Sequence, residues 1–563
     1  NTAVGKSSLT ANTTGFDNAS LGSLALTANT TGNSNTAIGK SALLSNTTAS
    51  NNTACGSSAL VTNTTGANNT ALGHVALLSN TTASNNTAVG YASLLTNTTA
   101  SGNTAVGYQS LGANTTGAIN TAVGNASLDA NTTGSNNVAI GDNALGDNTT
   151  ASNNTSIGKS SSAANTTGSE NTVVGAVAFD ANTTGSQNTA VGYGSLSGNT
   201  TASNNTAVGY FALLANTTGA LNTAVGTLAL DANTTADENT AIGYAALTNN
   251  TTAAGNTAIG KHSMVVNTTG ASNTAIGRHS LAANTTASFN TSVGYNSLTD
   301  NTTGASNTAV GTNALNNNTT GTRNTAIGDA ALFVSTTGSD NVAIGSAALG
   351  ANTTASNNTA VGRLALLANT TGADNTAVGF GCLDTITTGS DNTAIGKNVD
   401  SDSATGASRL GIGGSLTLTT NNQIRIGVGS NFIHNTFSSN ATWTHSSDAR
   451  LKENIETDNL GLTFINELRP VTYNWKKQKD VPEEIRTKYE KDTDIRQHGM
   501  LAQEVKTALD KVGVNTFAGW SEEKDGTQMI SEDMFVFPLI NAVKELSTQV
   551  DELKAEIKTL KGE

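Results

Sequence analysis

The chain opens NTAVGKSSLTANTTGFDN over residues 1–18, and at Asn18 the same line begins again. An Asn recurs every seventeenth residue from Asn1 through Asn18 and Asn35 to Asn392, twenty-four starts without insertion or deletion. Self-similarity at a short fixed period marks a solenoid or array, and seventeen residues suit one turn of a β-solenoid. Position 4 of the unit is apolar throughout (Val4, Ile38, Cys55, Leu72, Ile395) and position 5 is always Gly. Position 9 is Leu in 20 of 23 complete units, with Ser162, Phe179 and Met264 as exceptions. Two apolar columns separated by Gly and small residues predict two short strands folding one wall onto another. Helix is the poorer alternative, because Gly, Asn and Thr crowd every unit.

Along a strand, alternation puts Thr2 and Val4 on one face and Ala3 and Gly5 on the other. A single coil needs one inner face, so the small second face predicts a close neighbouring backbone and several chains wound side by side. At about 4.8 Å per layer, twenty-four layers give a rod roughly 110 Å long. The tract NTTG at positions 12–15 reads as a turn, where Asn and Gly tolerate left-handed backbone, and stacked Asn and Thr can form hydrogen-bonded ladders. It also spells a glycosylation acceptor. Twenty-one of 23 tracts match that acceptor, yet Ser335 and Ile386 replace the Asn without disturbing the register, which favours the turn and ladder.

Composition divides the chain near residue 400. Residues 1–400 carry 8 Lys+Arg and 16 Asp+Glu, against 19 and 24 in residues 401–563, and all three Pro and all three Trp lie in the later part. A net charge of −13 without a basic tract argues against a nucleic-acid partner, since phosphate neutralisation needs clustered cations. No run of about 18 apolar residues is present, so membrane insertion is not expected. Cys55 and Cys382 stand far apart in the array and outside any metal-ligand spacing, so neither a disulfide nor a metal is expected, and no cofactor is implied.

Position 6, after the invariant Gly, is chemically variable and therefore faces water: Lys6, His74, Asp142, Arg278 and Phe380 all occupy it. Six of the eight tyrosines sit there, Tyr91, Tyr108, Tyr193, Tyr210, Tyr244 and Tyr295, with Tyr91/Tyr108 and Tyr193/Tyr210 on successive layers. Exposed stacked Tyr can bind sugar rings through apolar contact and a hydroxyl, which makes these six the candidate receptor contact. The plainer reading is that they are β-compatible residues at a strand end. Lys261, His262, Arg278 and His279 form the basic patch of the repeats, a candidate contact for an anionic glycan whose plainer reading is solvated surface.

Units such as NTAVGYQSL (103–111) and NTAIGKSAL (35–43) resemble the head repeats of trimeric autotransporter adhesins, whose NSxAIG-type motifs build left-handed β-rolls in trimers, and bacteriophage fibre shafts with similar repeats. The resemblance implies a parallel homotrimer. Residues 401–446 lose the seventeen-residue register but keep alternating stretches such as NQIRIGVG, and read as a β connector. Beyond them stand SDARLKENI (447–455), INELRPVTYNWK (465–476), HGMLAQEV (498–505) and FPLINAVKELSTQVDELKAEI (537–557). These resemble the intramolecular chaperone, auto-processing domain at the C-termini of phage endosialidases, tailspikes and tail fibres. In that family a Ser five residues before a Lys forms the self-cleavage site, and Ser447 and Lys452 match, with the cut between Ser446 and Ser447. A Ser hydroxyl becomes a nucleophile when a base takes its proton, and a Lys can serve if burial lowers its pKa, which predicts a partly dry site. His445 and Asp448 tempt toward a triad but lie too close in sequence to converge.

Val543, Leu546, Val550, Leu553, Ile557 and Leu560 alternate spacings of three and four, a coiled-coil seam. Its β-branched and Leu pattern favours two strands, whereas attached trimeric domains would impose three. The expected architecture is therefore mainly β: a seventeen-residue-repeat β-solenoid (β-roll) shaft over 1–400 and a β connector over 401–446. A small α/β chaperone domain over 447–536 and a trimeric coiled-coil helix over 537–563 complete it. The implied function is a virion tail-fibre shaft that recognises a host-surface glycan or protein receptor and joins other virion tail proteins. Its only catalysis would be its own cleavage. A bacterial cell-surface adhesin and a tailspike whose polysaccharide depolymerase lies outside this sequence are the competing classes. Thr ladders also raise ice binding, disfavoured because those Thr lie in turns.

Overall fold

In the computed structural model, residues 1–436, 444–445, 447–483, 494–524 and 526–563 are described, with the side chains of 444, 445 and 478 excepted. The chain divides into two compact units, Asn1–Ser446 and Ser447–Glu563.

The first unit is a β-solenoid with one three-residue strand per turn, from β1 (Thr2–Val4) to β24 (Thr393–Ile395). Each strand pairs in parallel with the strand seventeen residues on, as Thr206↔Thr223 and Val208↔Val225 illustrate. The expected second strand at the Leu column is absent, for a backbone reason. Positions 7 and 9 are left-handed, as in Phe211 and Leu213 (φ 53° for both). A β-branched side chain is disfavoured there, although the half-buried position 7 admits Val75 and Val177, at φ 51° and 47°. Position 4, in extended backbone, is mostly Val or Ile, whereas position 9 is Leu, Met, Phe or Ser and never β-branched. The reversal between them needs Gly: Gly209 lies at φ +141°, and a Cβ on it would stand 2.5 Å from the Gly226 carbonyl oxygen.

The core is made by Ala3-type, position-8 and Leu9-type residues of the same chain; Ala207, Ala212 and Leu213 are wholly buried. Burying each Leu contributes about 1.5–3 kcal/mol before entropy. This corrects the face assignment from sequence. The Ala face packs inside its own coil and needs no neighbouring backbone, while position 4 points outward, with Ile242 37% and Leu72 46% exposed. The apolar core is interrupted between Leu145 and Val173, where Ser156 bonds Ser161 at 2.8 Å and Ser162 at 3.2 Å.

The NTTG tract is a turn with a buried ladder. Asn216 Nδ2 donates to Asn199 Oδ1 of the preceding turn at 3.0 Å and to the Gly219 carbonyl at 2.8 Å. The Thr217 hydroxyl donates to the Thr234 carbonyl at 2.9 Å. Position-1 Asn residues form a second ladder, with Asn188 Oδ1 accepting the Asn205 N–H at 3.0 Å. From Asn29 onward the position-12 Asn side chains are fully buried, so their amides cannot act as glycan acceptors in the folded shaft.

The seventeen-residue register outlasts residue 400. Thr393 pairs with Leu410 of β25 (Leu410–Gly414), and the Arg409 N–H takes the next place on the position-1 ladder, donating to Asn392 Oδ1 at 3.1 Å. The following turn is shortened to fourteen residues, Leu410↔Ile424. Strand β26 (Gln423–Val428) then turns back antiparallel onto β27 (Asn431–Thr436). The buried Arg409 guanidinium donates to Ser401 Oγ at 2.7 Å, Asp402 Oδ1 at 2.9 Å and the Leu418 carbonyl at 2.5 Å. Tight turns with an Arg among them hid this continuation from the spacing count.

The second unit is small and mixed. Helices α1 (Leu462–Glu467), α2 (Ala502–Lys511) and α3 (Val536–Lys561) accompany two short antiparallel pairs, Val471–Tyr473 with Gln497–Gly499 and Trp520–Glu522 with Gln528–Ile530. Its core joins Leu460, Phe464, Val505, Ala508, Leu509 and Phe535. Phe517 stands edge-on to Phe464 at 5.7 Å and to Phe535 at 5.1 Å. Helix α1 is tied to α3 by Glu545, whose carboxylate accepts the Leu462 N–H at 2.7 Å.

Candidate functional site

Two sets of residues carry the chemistry expected from sequence. The first begins at Ser447. Asp448 caps the short 3-10 turn Ala449–Leu451 by accepting the Arg450 N–H at 2.9 Å, and Lys452 closes that turn. The turn folds the chain back so that Lys452 Nζ reaches Ser447 Oγ at 2.8 Å. A hydroxyl nucleophile and an amine are therefore in direct hydrogen-bond contact, the geometry a Ser–Lys pair requires. Both side chains are exposed, so the dry enclosure expected around the Lys is not supplied by this unit. Asp448 is occupied by the Arg450 guanidinium at 2.5 Å, which holds its carboxyl below the usual carboxylate range. It is thereby engaged away from the pair. Ser446 and the His445 side chain lie outside the described residues.

The second set is the position-6 column. All six tyrosines are exposed, Tyr108 by 51% and Tyr295 by 46%. Four of them stack from turn to turn: His74, Tyr91 and Tyr108 form a run with centroids 5.6 and 5.3 Å apart, and Tyr193 meets Tyr210 at 5.7 Å. Phe211, not singled out from sequence, wedges against Tyr210 at 4.2 Å. Further along, Lys261 Nζ lies 5.7 Å from the Tyr244 ring centre and Arg278 Cζ 5.7 Å from that of Tyr295.

A second variable exposed column escaped the sequence reading. Position 17 lies in left-handed backbone and carries Ile119, Leu221 and Phe289, exposed by 66%, 55% and 67%. It also holds the bidentate Arg323–Asp340 pair, at 2.6 Å between successive turns. The same chemical scatter that marked position 6 would have revealed it. Among the described residues no group of three or more His, Cys, Asp or Glu is placed to hold a metal ion, and no helix is long and apolar enough to cross a membrane.

Residues 447–514 match the family described as chaperone of endosialidase, a match that takes in both Ser447 and Lys452. No curated protein matches the chain. Together the family match and the seventeen-residue solenoid fit a structural protein of the phage tail-fibre, tailspike or endosialidase type.

Proposed function

We propose that the chain is the shaft of a homotrimeric phage tail fibre that contacts the host surface, assembled by a C-terminal unit that then cuts itself away. The observation that carries the trimer is the outward position-4 column. A row of Val and Ile side chains runs along a sheet of stacked strands, exposed or half-exposed in every turn. Such a long apolar stripe favours association. The seam of α3 supports the same reading: Val543, Val550 and Ile557 are 59%, 41% and 50% exposed. Three such helices would bury them against one another.

Trimerisation also supplies what the Ser–Lys pair lacks. Enclosure by neighbouring chains would strip water from Lys452 and favour its neutral form. Lys452 then takes the Ser447 proton, Ser447 Oγ attacks the Ser446 carbonyl carbon, and the Ser446–Ser447 C–N bond breaks as the leaving nitrogen is protonated. Water hydrolyses the resulting ester, leaving a carboxylate on Ser446 and the free hydroxyl and amino group of Ser447. Cutting after assembly has a purpose, because a seventeen-residue slip between repetitive chains looks locally identical and a chaperone must set the register. Once freed, the shaft is kinetically trapped by its many paired layers.

A denaturing gel with parallel sedimentation tests this. Wild type should give pieces spanning 1–446 and 447–563, while Ser447→Ala and Lys452→Ala remain full length and still trimerise. Cutting that survives Ser447→Ala refutes the mechanism.

A further inference from the structure

We infer that the shaft carries a binding site for an acidic polysaccharide on turns fifteen to eighteen, built from Tyr244, Lys261, His262, Arg278, His279 and Tyr295. The site deepens the host-contact reading above and rests on it only for the source of the ligand. The outer column runs Tyr244, Lys261, Arg278, Tyr295 on successive turns, all exposed. Beside it at position 7, His262 and His279 are half-buried and stacked at 5.5 Å, and Tyr244 leans on His262 at 5.3 Å. With about 4.8 Å per layer, Tyr244 and Tyr295 bracket roughly 14 Å along the axis.

Three observations point to an anion-bearing sugar chain. Lys261 and Arg278 are the one pair of cations on successive turns of this column, in a shaft with 8 basic and 16 acidic residues over 1–400. Among the described residues neither forms an ion pair; each instead lies over a Tyr ring, whereas Arg323 is matched by Asp340 on the next turn. Two like charges about one layer apart repel, and a carboxylate held between them relieves that repulsion while accepting charge-assisted hydrogen bonds. Burial, then the charges of Arg278, His262 and Lys261, hold the His279 imidazole below its usual range, so at neutral pH it offers an uncharged ring face with a donor and an acceptor. Tyr faces and hydroxyls at both ends suit the apolar face and hydroxyls of flanking sugars. Two cations are too few for the phosphate neutralisation that nucleic-acid binding requires.

The test is titration calorimetry of the full chain with tetragalacturonate, with neutral maltotetraose and a short oligothymidylate as comparison probes. Wild type should bind tetragalacturonate more weakly as salt rises, and should bind maltotetraose and oligothymidylate far less. Lys261→Gln and Arg278→Gln should each lower affinity about tenfold or more, the loss of one charge-assisted hydrogen bond. Lys159→Gln, which removes an exposed cation of the same column that has no second cation on the adjacent turns, should bind like wild type. Circular dichroism checks folding, which exposed positions should leave intact. Failure of wild type to bind tetragalacturonate, equal binding of either comparison probe, or unchanged affinity in both Gln variants overturns the site. Binding by the purified chain combined with unimpaired virus adsorption by the Gln variants would leave the site standing and remove its role in host contact.

Discussion

The position-12 ladder breaks where its Asn is replaced, and this gives a prediction of unusual sign. Side-chain amides link turn to turn from Asn12 to Asn318, ending with Asn318 Nδ2 donating to Asn301 Oδ1 at 2.8 Å. The next turn carries Ser335, and there the buried Asn318 Oδ1 and Ser335 Oγ both lack partners. Beyond the gap, Asn352 Nδ2 donates only to the Ala355 carbonyl, at 3.1 Å. Ser335→Asn would restore three hydrogen bonds: to Asn318 Oδ1, to the Gly338 carbonyl, and from Asn352 Nδ2. At about 1 kcal/mol net per bond, less the cost of fixing the longer side chain, the substitution should stabilise these turns by about 2–3 kcal/mol. Local opening should then slow roughly 30- to 150-fold, at about 1.4 kcal/mol per decade. Hydrogen exchange read by mass spectrometry over 312–360 measures it, with Ser335→Ala as a near-neutral control. Ile386 leaves the same gap, with Asn369 Oδ1 unpartnered, but is itself fully buried. Ile386→Asn would forfeit about 2–5 kcal/mol of packing and should not stabilise. Unchanged or faster exchange in Ser335→Asn would refute the claim that the ladder holds the turns.

Leu213→Ile keeps the atom count but places a β-branched residue at φ 53°, and should destabilise its turn by about 1–3 kcal/mol in the same exchange assay; a silent substitution would contradict the backbone account of the Leu column. Val191→Lys with Val208→Lys should leave the chain folded, since both side chains are partly exposed, and convert a sedimenting trimer to monomer; a surviving trimer would clear this face of the role. Burial, reinforced by the neighbouring Asp384 carboxylate, pushes Asp400 up from 3.8 to about 6. The folded end therefore holds a proton that the unfolded chain releases, and its stability is full below pH 3.8 and lost as pH rises through about 6. Exchange over 384–402, corrected for intrinsic rate, should be faster at pH 7.5 than at pH 5, and Asp400→Asn should abolish the difference.

The period, the invariant Gly and the turn at NTTG were legible because each is a local backbone demand repeated over the array. Which face is inside was not. Val4 looks like a core residue by hydrophobicity alone, and only the left-handed backbone at Leu9, which swings that side chain inward, lets Ala3 and Leu9 fill the narrow coil. The sequence did contain the signal, since a column that accepts Leu, Met and Phe but never Val or Ile is avoiding β-branching. Ser447 and Lys452 were found by family resemblance rather than spacing, and their 2.8 Å contact depends on a turn capped by Asp448, a capping role that the sequence reading did not assign after setting the triad aside.

The central claim, a trimer set by a chaperone that then leaves, is tested most directly by native mass spectrometry of the expressed protein. The account predicts a particle with the mass of three chains of residues 1–446, with 447–563 released. A particle with the mass of one chain, or three uncut chains in wild type, would contradict it.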